Sequence, residues 1–316
     1  MTISTVPHAD VPDVSSYDKP LVSVLIPCFN HQDYVTQTLD SIAASSYGPL
    51  ELVFIDDASL DKSFEIASTW LDANRTRFMR VVFERHERNR GISKTLNELV
   101  SKATGEYITF IASDDMFVVD GIRNQVEHAI EKNATYVFAD AILVDEDGAL
   151  IAPSALLFYG RRPSSMESRR CLAVDVLLNW EMPWTRIFIQ AERFRRMGMF
   201  DEQLLFEDRD FVVRVLMSGS YTFIPETVYV YRMRRDNRLT PGLDAVDMRV
   251  DFQRSEMKNY LNASGLIKFV LGLNMLAGKI RFDKHGTQMR SYVWPIFAII
   301  RRLITWAHLA VMRFSS

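Results

Sequence analysis

Short, almost wholly apolar runs alternate with stretches of helical spacing along the first third of the chain. Residues 21–26 form a β-branched and apolar run halted by Pro27, and from Asp33 onward Val35, Leu39 and Ile42 recur at the spacing of one helix face. Residues 52–55 repeat the pattern, stopped by Asp56 and Asp57. Ser59 is placed to cap a helix with Phe64, Ala67 and Leu71 inward. A third strand is predicted over 78–83, followed by a helix marked by Ile92, Leu96 and Leu99. A fourth, 107–111, ends at Asp114 and Asp115. Strands with apolar residues on both faces, alternating with helices, predict a parallel sheet covered on both sides. Ligands of such sheets bind beyond the carboxyl ends of the strands. The polar groups after the first, second and fourth strands are therefore expected on one rim.

The pattern is less regular afterwards. A helix is predicted over 121–131, a strand over 136–139, and a hairpin over 141–151 turning at Asp147-Gly148. Residues 153–170 read as a basic loop. A short strand (187–189) and two helices closed by Gly198 and Gly219 follow, then a strand over 221–231 interrupted by Pro225. From about residue 244 the chain turns helical. Residues 292–312 hold an apolar run broken by Arg301-Arg302 before it reaches the roughly 20 residues a membrane span needs. Two readings stand for that segment: a helix lying in a membrane interface, or one packed on the main domain.

With 316 residues, 48% hydrophobic and 24% charged, the chain suits one large α/β domain with an appended segment, or two small domains. The net charge of -3 lacks the basic face of a general nucleic-acid binder. The two cysteines, Cys28 and Cys171, stand in unrelated contexts and give no disulfide framework, which fits a reducing compartment. Residues 1–19 show no signal-peptide pattern and read as a mobile polar leader, so the three Asn-X-Ser/Thr matches are read as chance.

Asp56-Asp57 and Asp114-Asp115, on two strand tips of one sheet, would place four carboxylates on a single rim. Such a cluster raises its own pKa values unless something positive joins it. Mg²⁺ or Mn²⁺ does so with hard oxygen ligands, commonly one or two protein carboxylates plus substrate phosphates.

The chain resembles a family 2 glycosyltransferase of the GT-A fold. The residues that carry the resemblance are the run from Ser23 to Asn30 (SVLIPCFN), then ELVFIDDAS from Glu51 to Ser59, then Gly91-Ile92-Ser93 with Asn97. They continue with Gly105-Glu106-Tyr107-Ile108 leading into Ser113-Asp114-Asp115, and with Gly198 to Glu202 followed by Glu207-Asp208. The likeness runs over roughly residues 21–237. It implies a Rossmann-like, mostly parallel sheet flanked by helices over 20–240, with a nucleotide half to about 120, an acceptor half beyond, and a helical region over 241–316.

By this resemblance the nucleotide pocket takes Pro27, Cys28, Phe29, Asn30, Asp56, Asp57, Ser59, Gly91, Lys94, Asn97, Ser113 and Asp114, with Asp57 or Asp56 accepting from the base. Asp114 and Asp115 would approach the cation on the diphosphate, although Ala112 stands where relatives often carry a further acid. Glu207-Asp208 resembles the acidic pair at a helix start in which the Asp is the catalytic base. A helix N-terminus favours carboxylates there in any case. Relatives often have a His where Arg234 stands. Arg232 and Arg234 are read as phosphate or acceptor contacts or as a solvated basic loop, and Trp184 as an acceptor platform or a packing residue. His31 and His86 lack metal-ligand spacing and are read as non-ligands.

The function this implies is inverting transfer from a nucleotide-diphosphate sugar, UDP-linked, to a saccharide or lipid-linked acceptor for surface polysaccharide. The expected setting is the cytoplasmic face of a membrane, with peripheral contact through the C-terminal helix. The alternative is a degenerate transferase-like protein that binds a sugar nucleotide without turnover. A receiver module is disfavoured by length. A nucleotidyltransferase is disfavoured because Pro27-Cys28-Phe29-Asn30 has neither glycine nor cation.

Overall fold

The computed structural model describes residues 19–178, 187–205, 207–234 and 245–282. Five strands and four helices make the first half: β1 (Val22–Cys28), α1 (Val35–Ala43), β2 (Leu50–Asp56), α2 (Ser63–Asn74), β3 (Arg80–Arg85), α3 (Ile92–Lys102), β4 (Tyr107–Phe110), β5 (Met116–Phe117) and α4 (Gly121–Glu131). The second half continues with β6 (Tyr136–Val144), β7 (Leu150–Ala152), α5 (Ala155–Phe158), α6 (Pro163–Met166), α7 (Arg169–Leu178), β8 (Phe188–Gln190), α8 (Ala191–Met197), α9 (Glu207–Ser218), β9 (Tyr221–Arg232), α10 (Ala245–Asn262) and α11 (Gly265–Phe282). The nine strands among the described residues form one sheet in the order β3-β2-β1-β4-β8-β6-β9-β5, with β7 on β6. The first four positions are parallel, β8 runs against both neighbours, and β6 and β9 are parallel again.

The strict alternation of strand side chains sorts each strand between two cores. Val22, Val24 and Ile26 of β1, with Leu52 and Phe54 of β2, pack under α1, α2 and α4 through Val35, Leu39, Ala67, Leu71, Ile122 and Val126. Leu25, Val53 and Ile55 face the other way, onto α3, α7 and α9 through Leu96, Leu99, Leu172 and Phe211. At the amino end of the strands a buried carboxylate, Glu51, is satisfied on every side. It accepts from Ser23 Oγ and Arg80, from Thr104 N at 2.8 Å and from Thr104 Oγ1 at 2.9 Å.

Several boundaries differ from the sequence reading. β1 continues through Pro27 to Cys28. Pro27 is tolerated because β4 pairs with β1 only as far as Leu25, so one flank of the strand lies beyond that ladder. β3 starts at Arg80 rather than 78, after a 3-10 turn over Arg75–Arg77. Ser59 does not cap α2. The helix starts at Ser63, whose N–H donates to Asp61 Oδ1 at 2.9 Å. The supposed loop 153–170 contains α5 and α6, and α7 begins at its end. Pro225 leaves β9 intact, and the pairing with β6 slips by two residues between Ile224 and Thr227 to accommodate it. The leader and residues 292–312 lie outside the described residues, and no described helix is long and apolar enough to cross a membrane.

Candidate active site

The register aligns Cys28 with Asp56, so the polar residues after β1 and β2 leave the sheet side by side. Asn30 and Ala58 both adopt a left-handed backbone (φ 56° and 62°), a conformation Asn tolerates better than most side chains. Those turns let two loops bond reciprocally: Asn30 N–H donates to Ser59 Oγ at 2.9 Å, and Leu60 N–H donates to Asn30 Oδ1 at 2.8 Å. Asp56 is fully buried. Its Oδ1 accepts from Ser59 N at 2.9 Å and lies 3.3 Å from Arg85 Nε.

Asp57 is a hub. Oδ1 accepts from Arg90 N at 2.7 Å and faces His86 Nδ1 at 2.7 Å, while Oδ2 accepts from Gly91 N at 2.9 Å. His86 is held from its other side by Glu98 of α3 at 3.2 Å. One carboxylate thus fixes the 86–91 loop and the entry to α3, where Gly91 sits at φ 86° with open space where a Cβ would be. Phe29, just past β1, is 41% exposed on the same rim.

A second corner lies past β4. Ser113 is fully buried, and its Oγ sits 2.7 Å from His31 Nδ1. Arg234 Nη1 approaches His31 Nε2 at 2.6 Å. A guanidinium only donates, so Nε2 accepts, and the ring proton sits on Nδ1 and is given to Ser113. Burial lowers the His31 pKa, in keeping with a neutral ring, although the Asp114 charge opposes the shift. Asp114 Oδ2 stands 3.4 Å from Arg234 Nη1 and 3.5 Å from His31 Nε2. Tyr34 lies beneath, its ring 4.7 Å from the Arg232 guanidinium and 5.4 Å from that of Arg234.

At the start of α9, Glu207 is buried while Asp208 is partly exposed. Burial, and then the charge of Asp208, push the Glu207 carboxyl up to about 8. Glu207 is therefore protonated at neutral pH. The helix is braced from behind by Arg209, fully buried, which donates to Val176 O at 2.7 Å and Leu177 O at 3.0 Å and pairs with Glu256 of α10 at 2.5 Å. Ahead of α9, the Asn97 amide of α3 joins Phe200 and Glu202, with Nδ2 donating to each at 3.0 Å and Oδ1 accepting from Phe200 N at 2.9 Å.

Several expected contacts need correction. Cys28 is 1% exposed, and burial pushes its thiol up to about 12, so it is a packing residue. Asn97 spends its amide on the 200–202 segment rather than on a ligand. Ser59 braces the Asn30 loop. Asp115 is 1% exposed and accepts from Arg232 N at 2.9 Å, which turns it away from the rim. Arg232 is a strut, not a phosphate contact. It is 1% exposed, with its guanidinium donating to the carbonyls of Asp114, Asp145 and Glu146 and to Gln37 Oε1. Pro27 lies at the rim and Lys94 is exposed on the first turn of α3; Trp184 lies outside the described residues. Sequence reasoning missed His31 and His86. Neither has ligand spacing, and the only signal was position, since each follows a strand that ends at the rim.

The Mn²⁺ or Mg²⁺ implied by the resemblance finds a thin donor set. No cluster of three or more His, Cys, Asp or Glu gathers among the described residues. Of the two expected acids only Asp114 faces the rim, and Arg234 already stands against it.

The glycosyl transferase family 2 model matches residues 23–184, more than half of the chain. The chain belongs to glycosyltransferase family 2. As a family 2 transferase it shares 26% identity over 237 residues with the glycosyltransferase GlyG of Streptococcus pneumoniae, covering 71% of this chain and 74% of GlyG. It is 30% identical over 145 residues to TuaG of Bacillus subtilis, whose name proposes a glycosyltransferase of teichuronic acid biosynthesis. That match covers 44% of this chain and spans about half of TuaG's length, 56%. The transferase has the GT-A fold. It superposes on S. aureus TarS in complex with UDP-GlcNAc with a TM-score of 0.63 at 18% identity, covering 85% of this chain and 75% of TarS. The mannosyltransferase PcManGT from Pyrobaculum calidifontis, in complex with GDP-Man and Mn²⁺, gives 0.54 at 17% identity, covering 95% and 88%.

Proposed function

We propose that this transferase moves a sugar, with inversion, from a nucleoside-diphosphate sugar to a hydroxyl of a saccharide or lipid-linked acceptor in the assembly of a surface polysaccharide. The observation that carries the reading is the pair of corners at adjacent strand ends of a family 2 domain. One is shaped by Asp56, Asp57 and Gly91 for a base and ribose; the other, by Ser113, Asp114 and Arg234, for a diphosphate. A UDP-linked donor is favoured by TarS, solved with UDP-GlcNAc, and a polysaccharide product by the name of TuaG.

In the reaction the acceptor oxygen bonds to the anomeric carbon as the bond to the diphosphate oxygen breaks. Asp208 is the base that takes the hydroxyl proton, at the positive end of α9. Burial favours the neutral form of Glu207, which reduces the negative charge beside Asp208. Positive groups at the Asp114 corner offset the charge on the departing diphosphate. A divalent cation at Asp114 is the second reading of that role, favoured by the Mn²⁺ of PcManGT; it would supply Lewis-acid stabilisation of the leaving group.

The test is release of free nucleoside diphosphate from a panel of UDP-, GDP- and dTDP-sugars. Asp208→Asn is expected to lower kcat by about 10²–10⁴-fold with donor binding retained. Unchanged turnover in that variant removes the base assignment. Donor binding without turnover in the unmodified chain, across acceptors, favours the non-catalytic alternative.

A further inference from the structure

Resting on that donor reading, we propose that Arg234 is the resident cation of the diphosphate site, and that this transferase binds its donor without a divalent metal. The two atoms that would ligate a metal at this corner, His31 Nε2 and Asp114 Oδ2, lie 3.5 Å apart. Both already face Arg234 Nη1, at 2.6 and 3.4 Å. The His31 lone pair is taken by an N–H, and the Asp114 charge is answered by a guanidinium. The second acid of the pair is turned inward to the backbone N–H of Arg232. A metal entering here would have to displace Arg234 from both partners and would gain one carboxylate and one imidazole.

The guanidinium suits the role it occupies. It is planar, charged at every working pH, and carries donors in a fork that matches two phosphate oxygens. Nη1 is committed to His31 and Asp114, and no described contact of Nε or Nη2 competes with a diphosphate. The side chain is 26% exposed, so the face toward the rim is reachable. Its guanidinium lies 5.4 Å from the Tyr34 ring, and the strut Arg232 anchors the backbone two residues earlier. His31 thereby acts as a positioning residue. It holds Arg234 through Nε2 and is itself held through Nδ1 by buried Ser113.

The test is calorimetric titration of the full chain with UDP and GDP, in EDTA and in Mn²⁺, alongside electron paramagnetic resonance of free Mn²⁺. The expected result is nucleotide affinity that changes less than about threefold between EDTA and Mn²⁺, and a free-Mn²⁺ signal that the protein does not deplete. Arg234→Ala opens both ligand atoms. It is expected to lose about tenfold or more in affinity in EDTA and to recover part of it with Mn²⁺. Arg234→Lys keeps a charge and is expected to retain EDTA-resistant binding, which guards against a folding defect in the alanine variant. Affinity in the unmodified chain that collapses tenfold in EDTA and returns with Mn²⁺ overturns the proposal and leaves the donor reading standing. Absence of binding to either nucleotide under both conditions overturns the donor reading and the proposal together.

Discussion

Glu207 illustrates how one buried proton shapes this site. Its carboxyl is pushed from 4.5 to about 8 by burial and the Asp208 charge, so folding takes up a proton between those values. The stability tied to the neutral acid is fully present below about pH 4.5 and is lost as pH rises through 8. Glu207→Gln mimics the protonated form. The variant is expected to melt close to the unmodified protein near pH 5 and above it near pH 9, as read by thermal denaturation at both values, with turnover at pH 7 largely kept. A larger stability gap at pH 5 than at pH 9 would contradict the assignment. Gly105 makes a second residue-scale case. A Cβ there would lie 2.6 Å from Ser23 Oγ, 2.7 Å from Ser23 N and 2.8 Å from Leu21 O, and backbone cannot yield cheaply. Gly105→Ala is expected to cost about 1–3 kcal/mol in denaturant unfolding, as overpacking does.

At the scale of elements, the clamp between α9 and α10 is the joint that carries strain when altered. Arg209 and Glu256 are both buried, and Arg209 also stacks 4.8 Å from the Phe252 ring. Glu256→Ala leaves a guanidinium buried without its carboxylate and is expected to destabilise by about 3–5 kcal/mol in urea unfolding. Replacing both partners by apolar residues of similar volume is expected to recover most of that loss. The elements themselves were legible in the sequence to unequal degrees. β1, β2 and β4 announced themselves because burial on both faces leaves them mostly apolar, whereas β3, an edge strand only partly buried, showed through its central Val81-Val82-Phe83. α8 and α9 stood out by the glycines that close them, Gly198 and Gly219. α7 did not, because Cys171 to Leu178 are buried all round and the helix shows no polar stripe to set its period. The acids of the site were visible as pairs after strands. Which of them face the rim was not, because Asp115 and Arg232 are turned inward by contacts between residues over 100 positions apart. His31 and Arg234 were separable from ordinary loop residues only once β1 and β9 lay in one sheet.

For the whole molecule, the sheet divides the structure into two cores, and the site lies along its carboxyl rim. A ligand bound only by the folded chain stabilises it through mass action, by about 2.7 kcal/mol at a hundredfold excess over Kd. UDP is therefore expected to raise the melting temperature in a concentration-dependent way, measured by scanning fluorimetry, and Asp57→Ala to abolish that shift by releasing the 86–91 loop. A shift that survives Asp57→Ala at full size would place the base elsewhere.

The Arg209–Glu256 clamp bears on how the protein can be recombined. A boundary drawn after residue 240 from the change in composition suggests a helical tail that could be exchanged between relatives. The clamp places Glu256, the partner of Arg209, on the far side of that boundary, and Lys258 reaches back to Asp201 at 2.7 Å across it as well. A graft that swaps α10 and α11 alone would import a helix pair without the matching charges, whereas one that takes everything from Gly198 to the end of α11 keeps them together. The unit that keeps these buried and surface pairs intact is thus that longer cassette.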